Sequence, residues 1–320
     1  MILIFSVLVL FFVLSNSKIG SLTIEKSNFL KAFFPYVIIL HHVSHLTGGI
    51  SDFQWAGPYG VGVFFFISGY GLEYKRRHGV LNITSYFKRV KNVLLPIIIP
   101  VSIYLILLAI NGTHIWQFVI EQLKSYTIVL PYTWFVITLI IIYTSYFSLS
   151  YIFPRNLFFS ELVFLLLFSC LMMANDMDGT FYITTYCFLI GAIYHDKEQC
   201  VMKWQSKTII VLATVSFLLL TSVLALYRPL FKGYAAFGAS IWTTCFIFFF
   251  TITHVKYTSF INHLKDISYD VFLCQGIAFY LLSKGISLNN VWLYAILSIS
   301  LSFLFGEFCY YLRKAVMSQL

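Results

Sequence analysis

Ionisable side chains inside an apolar, helix-length run are the most informative feature of this sequence. Lys31 lies near the start of the run Phe29–Leu46, and three histidines, His41, His42 and His45, lie near its end. A charged or titratable group among apolar membrane neighbours costs free energy, so each is a functional candidate. Lys31 and His42 are eleven residues apart, which on a helix is about 16 Å of rise and about three turns. The spacing predicts that both side chains lie on one face of the helix.

His42 has the chemistry of a general base. Imidazole has an ordinary pKa of about 6.5, so at neutral pH it is mostly uncharged and can still take a proton from a hydroxyl. The alternative interpretation is that His41, His42 and His45 line a wet vestibule or cap an outer helix end. A metal site is disfavoured, because His42 and His45 have no carboxylate or thiolate near them in sequence to complete a set of ligands.

The composition predicts which elements position these residues. Hydrophobic residues make up 60% of the chain and charged residues 10%, against roughly 45–50% and about 25% in soluble domains. Long unbroken apolar runs also exclude the alternating pattern of barrel strands. The predicted fold class is all-α, a polytopic transmembrane helical bundle.

Ten apolar runs approach the roughly 20 residues that a membrane-spanning helix needs. These core spans are Phe29–Leu46, Gly57–Tyr74, Val93–Ile110, Trp134–Phe153, Leu157–Met173, Thr180–Tyr194, Thr208–Leu226, Tyr234–Thr253, Ile267–Ser283 and Val291–Leu312. An eleventh run, Ile2–Leu14, follows no basic residue, so we expect a short membrane helix there rather than a signal peptide. The predicted organisation is a hydrophobic segment and cytoplasmic lead-in over residues 1–28, one membrane domain over 29–315, and a cytoplasmic tail over 316–320.

The positive charges predict the orientation. When the ten spans alternate and the segment before Phe29 is placed in the cytoplasm, 17 of the 21 Lys and Arg residues fall on the cytoplasmic side, as the positive-inside rule requires. The net charge of +9 is therefore a topology signal with contacts to anionic membrane lipids, and no solvated basic face indicates nucleic acid. The six cysteines have neither disulfide nor zinc spacing, and we expect them to be small buried hydrophobic residues.

Four further motifs follow the Lys31-x10-His42 pair. They are Gly60–Gly69 (GVGVFFFISG), Tyr86–Pro96 (YFKRVKNVLLP), the pair Trp134-Phe135, and Ser268–Gln275 (SYDVFLCQ). The small residues of the first motif are typical of close helix packing. Taken together and in this order, the five motifs resemble the acyltransferase 3 family of integral-membrane O-acyltransferases, over nearly all of the chain from Phe29 onward.

Three positions depart from the family pattern. Lys31 stands where the family usually has Arg, and a compact ammonium lacks the bidentate geometry of a guanidinium. Asn92 occupies a position that is often basic. Gln275 replaces a late histidine, and an amide can form hydrogen bonds but cannot shuttle protons.

The resemblance implies transfer of an acyl group, with acetyl expected, from cytoplasmic acyl-CoA to a hydroxyl of a cell-envelope or extracellular polysaccharide or its lipid-linked precursor. The implied location is the bacterial cytoplasmic (inner) membrane, and the implied co-substrate is acetyl-CoA, with no bound cofactor and no metal. On this reading His42 is the general base or a transient acyl carrier, and Lys31 orients the thioester or contacts donor phosphates.

The resemblance also implies residues that bind the substrates. Arg89, with Lys88 and Lys91, lies where donor phosphates arrive from the cytoplasm. Ser68 in the glycine-rich motif and Trp134 complete the candidates, although Trp134 is also typical of an interfacial anchor.

Other polar residues have structural interpretations. The cations Lys75, Arg76 and Arg77 are typical of positive-inside anchoring, with Lys75 or Arg77 able to pair with Glu73. Glu307 in the last span needs a partner. The segment containing Asp266, Ser268 and Tyr269 is predicted to begin a helix, with Asp or Ser as its cap.

Two rival functions stay open at this point. A transporter or flippase of a lipid-linked sugar also needs membrane histidines and a basic inner face, but it predicts functional charges shared between two halves. An inactive scaffold subunit of an envelope-polymer assembly is favoured by the departures at Lys31 and Gln275.

Overall fold

The structure is a computed structural model that describes residues 21–54, 56–124, 129–203, 235–252, 258–285 and 290–318. All regular secondary structure in these ranges is helical, which confirms the all-α fold class. The α-helices are α1 (Ile24–Thr47), α2 (Ala56–Arg77), α3 (Ile83–Leu94), α4 (Ile98–Ile110), α5 (Ile115–Lys124), α6 (Trp134–Ile152), α7 (Leu157–Ala174), α8 (Thr180–Ile183), α9 (Tyr186–Lys203), α10 (Ala235–Ile252), α11 (Ser259–Gly285) and α12 (Val291–Met317).

Within the described part of the chain, five helical segments are long and apolar enough to cross a membrane by length and composition: α1, the continuous stretch Ile83–Ile110, α6, α7 and α12. Nine of the ten predicted spans overlap described helices, although the predicted span Thr180–Tyr194 is divided between α8 and the start of α9. The other predicted span, Thr208–Leu226, and the segment Ile2–Leu14 lie outside the described residues. The protein is a multi-pass membrane protein, and the count of ten core spans stays a prediction.

Several boundaries differ from the predicted ones. α11 begins at Ser259, so the predicted helix start at Asp266, Ser268 and Tyr269 is wrong. The polar residues of its first turns interrupted the apolar run without interrupting the helix, because a helix needs only one apolar face. The segment between the predicted spans Val93–Ile110 and Trp134–Phe153 contains the short helix α5. Pro35 lies inside α1, which continues through it.

The chain folds as two compact units. The first unit consists of the chain up to Leu30 with Pro58–Leu81 and Ser145–Thr258, and the second unit consists of Lys31–Gly57, Asn82–Thr144 and Ser259–Leu320.

In the first unit, glycines bring α2 and α9 into close contact. A Cβ at Gly69 would lie 1.9 Å from the Phe188 carbonyl oxygen, and one at Gly191 would lie 2.1 Å from the Phe66 carbonyl oxygen. Phe66 and Phe188 are completely buried beside these glycines. The glycine-rich motif therefore has the packing role that small residues predict.

A buried carboxylate organises one end of the first unit. Glu73 has no exposed surface and accepts hydrogen bonds from Arg76 (two at 2.6 Å), Arg77 (2.8 Å) and the Tyr146 hydroxyl (2.5 Å). Arg77 also forms an ion pair with Asp196. The predicted partner Arg77 is confirmed, and Arg76 is a second partner that the sequence did not indicate.

In the second unit, α1, α11 and α12 share one apolar core. Its buried residues are Ile39, Val43, Ile267, Val271, Phe279, Leu282, Tyr294 and Ala295. An ion pair between Arg313 and Asp270 at 2.8 Å joins α11 to α12, as does a hydrogen bond between His263 Nε2 and a Glu307 carboxylate oxygen at 2.5 Å. His263 is the partner that Glu307 needed.

The cysteines differ in their exposure. Cys187, Cys274 and Cys309 are buried as expected, but Cys170 and Cys200 are exposed, so the prediction is wrong for those two. Cys170 lies on a helix whose outward residues, such as Leu166, Leu167 and Leu171, are apolar as well, so its apolar neighbours in sequence did not imply burial.

Candidate functional site

Lys31 and His42 both belong to the second unit and lie on α1. The helix is continuous between them, so the spacing of about 16 Å along one face follows from helix geometry. Both side chains are half-buried. The two predicted catalytic residues therefore have the arrangement that the sequence predicted.

His42 lies between two aromatic rings. The centroid of its imidazole is 4.1 Å from the ring of Tyr132 and 6.2 Å from the ring of Phe279. No hydrogen bond to its ring nitrogens occurs within the described residues. Its nitrogens are thus available to a substrate, which a general base requires.

His41 and His45 have a different environment from His42. His41 Nδ1 donates to the Phe53 carbonyl oxygen at 3.2 Å, and His45 Nε2 donates to the Gln54 carbonyl oxygen at 3.0 Å. A carbonyl oxygen only accepts, so each of these nitrogens carries a proton. These two histidines hold the loop after α1, and His42 is the member of the group with the features of a base.

Tyr132 is a site residue that the sequence did not indicate. Its backbone φ is +65°, a left-handed conformation that costs free energy for a residue with a side chain. The turn is held against α11, where a Cβ at Gly276 would lie 3.2 Å from Pro131. Strain at a non-glycine residue beside a candidate base is a feature that functional sites often show, and the sequence carries no signal for it.

Three cations from three helices meet near the Lys31 end of α1. Arg89 of α3 and Lys265 of α11 both exert electrostatic repulsion on the Lys31 ammonium. The Arg89 guanidinium is half-buried and lies 5.1 Å from the centroid of the Tyr143 ring. Lys265 also pairs with the adjacent Asp266. Like charges held together in this way are stabilised by a bound anion, so the cluster suits phosphate groups.

The structure separates Arg89 from its basic neighbours. Lys88 and Lys91 are exposed on α3 while Arg89 is half-buried, because residues one and two positions apart point to different sides of a helix. Trp134 is half-buried at the start of α6, where it contacts Phe135 edge-on at 6.3 Å. Ser68 belongs to the first unit. Roles for these residues in substrate binding stay predictions.

Gln275 is completely buried on α11. Neither its carbonyl oxygen nor its amide nitrogen has a hydrogen-bond partner in the described part of the chain. Buried polar atoms are nearly always paired in native proteins. The departure from the family histidine thus places an unpaired amide in the core of the second unit.

Comparison with known proteins gives one relevant finding. A family model described as an acyltransferase domain matches residues 24–310, nearly the whole chain, and this confirms the resemblance drawn from the five motifs. No curated protein and no solved structure matches the chain. The predicted domain boundaries at residues 28 and 315 stay predictions.

Proposed function

We propose, because this chain belongs to the acyltransferase 3 family of membrane acyltransferases, that it moves an acyl group from cytoplasmic acyl-CoA to a hydroxyl of an envelope glycan. The acyl group we expect is acetyl. The acceptor is a cell-envelope or extracellular polysaccharide or its lipid-linked precursor, and the membrane is the bacterial cytoplasmic membrane.

The observation that carries this proposal is that α1 brings Lys31 to a cluster of cations at one level and, about three turns further along, presents His42, whose ring nitrogens form no hydrogen bond within the described residues. The cluster of Lys31, Arg89 and Lys265 suits the phosphates of a CoA donor. Arg89 can contact phosphate through two parallel hydrogen bonds, while the lysines act as point charges. Lys88 and Lys91, which are exposed, add long-range attraction for the donor.

His42 would act on the acceptor. Its free ring nitrogen takes the hydroxyl proton as the acceptor oxygen attacks the thioester carbonyl carbon. The bond from that carbon to sulfur then breaks, the new ester forms, and the thiolate of CoA leaves and recovers the proton. The rings of Tyr132 and Phe279 against the imidazole limit access of water, which would otherwise compete as the nucleophile.

Ser68 and Trp134 belong to two of the family motifs, and we propose that each contacts either the acceptor or the donor. A serine hydroxyl can donate or accept a hydrogen bond to a sugar hydroxyl, and an indole ring can serve as a stacking surface.

The test is the O-acyl ester content of envelope polysaccharide, measured by ester-sensitive mass spectrometry at equal membrane abundance. The strains carry the wild type, a deletion, His42→Ala, or His45→Ala as a control on the same helix. Loss of a general base typically lowers a rate by about 10²–10⁴-fold, so His42→Ala and the deletion should lose the same ester. His45→Ala, which removes a loop contact, should keep it.

The mass of the lost group names the acyl substituent. If the deletion changes the export or quantity of the polymer while His42→Ala behaves as the wild type, the transferase function is refuted. The transporter or scaffold hypothesis then takes its place.

A further inference from the structure

Buried side-chain atoms without a hydrogen-bond partner occur in both units, five in each within the described residues. In the described residues of the second unit, these atoms are Tyr36 Oη, Asp270 Oδ1, Gln275 Oε1 and Nε2, and Ser302 Oγ. A buried polar atom that stays unpaired lowers the stability of the fold. Gln275 is the extreme case, because both ends of its amide are unpaired and its side chain has no exposed surface.

Two of these residues, Tyr36 of α1 and Gln275 of α11, lie between two levels of the helix bundle. Lys31 of α1 interacts with Lys265 of α11 at one level, and His42 of α1 contacts Phe279 of α11 at the other. Gln275 therefore lies along the path that runs beside α1 and α11 from the cation cluster to His42.

Gln275 is at the centre of this path. It falls in the row Ile267, Val271, Gln275, Phe279, which repeats every four residues and so shares one face of α11. The three apolar members of the row pack in the core with Ile39 and Val43 of α1. Gln275 is thus the polar residue on the face of α11 that packs against α1. It lies one helical turn, or about 6 Å of rise, from Phe279.

A phosphopantetheine thioester fits this path in length and in chemistry. Its arm from phosphorus to sulfur has thirteen bonds, which at the spacing of an extended peptide-like chain is about 15 Å. The rise from Lys31 to His42 is about 16 Å. The arm also contains two amides and a hydroxyl, and these require partners when they leave water.

We propose that Gln275 binds an amide of the donor's phosphopantetheine arm, which runs from the cation cluster of Lys31, Arg89 and Lys265 toward His42. The carbonyl oxygen of Gln275 accepts from the amide N–H of the arm, and its NH₂ group donates to an amide carbonyl. Gln275 is in this sense a positioning residue that places the thioester at His42. The inference rests on the proposed acyl-CoA donor and adds a residue that determines how the donor is recognised.

The test compares Gln275→Leu with the wild type in the purified full chain. The dissociation constant of acetyl-CoA is measured by calorimetry, together with that of an analogue whose amide nearest the sulfur is replaced by methylenes. Loss of the amide contact should weaken acetyl-CoA binding about tenfold. The analogue should bind Gln275→Leu and the wild type equally within about twofold. Gln275→His, which restores a hydrogen-bonding side chain, should recover part of the affinity.

Thermal unfolding separates a ligand-binding role from a structural one. Leucine removes an unpaired buried amide, so Gln275→Leu should unfold at the same temperature as the wild type or higher. A lower unfolding temperature together with unchanged binding would overturn the inference and show a structural amide.

The outcomes also separate this inference from the function on which it rests. If wild type binds acetyl-CoA and Gln275→Leu binds it equally well, the Gln275 assignment fails and the donor assignment stands. If wild type binds neither acetyl-CoA nor acetyl carried on an acyl carrier protein, which presents the same arm, both fail. If only the carrier-bound donor binds and Gln275→Leu weakens it, the arm contact holds and the donor source changes.

Discussion

The crossing of α2 and α9 leads to a quantitative prediction for Gly69→Ala. The new Cβ would lie 1.9 Å from the Phe188 carbonyl oxygen, whereas ordinary contact begins near 3.4 Å. The two helices must therefore move apart by about 1.5 Å, because the obstructing atom belongs to a backbone and cannot rotate away. A gap of this size forfeits half or more of the dispersion attraction between facing atoms.

We expect a net loss of about 2 kcal/mol in the free energy of unfolding. Overpacking of a tight site costs roughly 1–3 kcal/mol, and a rigid backbone obstacle argues for the upper end. Alanine recovers up to about 1 kcal/mol because it is the better helix former. The assay is equilibrium unfolding by SDS titration in mixed micelles, with unfolding followed by tryptophan fluorescence.

The double variant Gly69→Ala/Gly191→Ala tests the geometric cause. Gly191 meets the Phe66 carbonyl oxygen at the same crossing, so once the first alanine has separated the helices, the second should cost less than it does alone. The control is Gly69→Ala/Gly306→Ala, since Gly306 contacts Val271 and shares no partner with Gly69, so the two costs should add within about 0.5 kcal/mol. Additive costs at Gly69 and Gly191, or an unchanged stability of Gly69→Ala, would refute the close crossing.

Two further predictions concern side chains. Tyr146→Phe removes the hydrogen bond that the buried Tyr146 hydroxyl donates to Glu73, so it should lower the free energy of unfolding by about 1.5–3 kcal/mol. In the same SDS titration, the control Tyr151→Phe, at an exposed tyrosine, should change this free energy by less than about 0.5 kcal/mol. Arg89→Ala should weaken acetyl-CoA binding by about tenfold or more, since the guanidinium is half-buried in the cation cluster. Lys124→Ala, which removes an exposed cation on α5, should stay within about twofold, and equal effects of the two changes would place the donor phosphates elsewhere.

The sequence predicted the features that depend on local spacing. Lys31 and His42 could be placed on one helical face because a single continuous helix fixes their relation, and the glycine-rich motif could be assigned to packing because the residues themselves have no side chains. The apolar runs likewise located the described spans. Their ends were less accurate, as α11 shows, because polar residues can extend a helix beyond the apolar segment.

Features that depend on tertiary packing could not be predicted. Tyr132 follows a turn with no helical or strand periodicity, and its contact with His42 depends on how that turn packs against α11. Lys265 joined the cation cluster from more than two hundred residues away in sequence. Arg89 is more buried than its neighbours Lys88 and Lys91 because of the side of α3 that faces the protein. A cluster of basic residues in the sequence does not specify that side.

Two of the three departures from the family pattern, Lys31 and Gln275, are compatible with an active enzyme. Lys31 lacks a bidentate guanidinium, but Arg89 brings one into electrostatic range of the same point. Gln275 cannot shuttle protons, but His42 lies one helical turn further along on the neighbouring helix, and no described residue forms a hydrogen bond with its ring nitrogens. A scaffold gains nothing from repelling cations and an unpaired buried amide, because both lower the stability of the fold. Destabilising groups that persist together are what a binding site requires before its ligand arrives, and this favours an acyltransferase whose donor site is built from Lys31, Arg89 and Gln275.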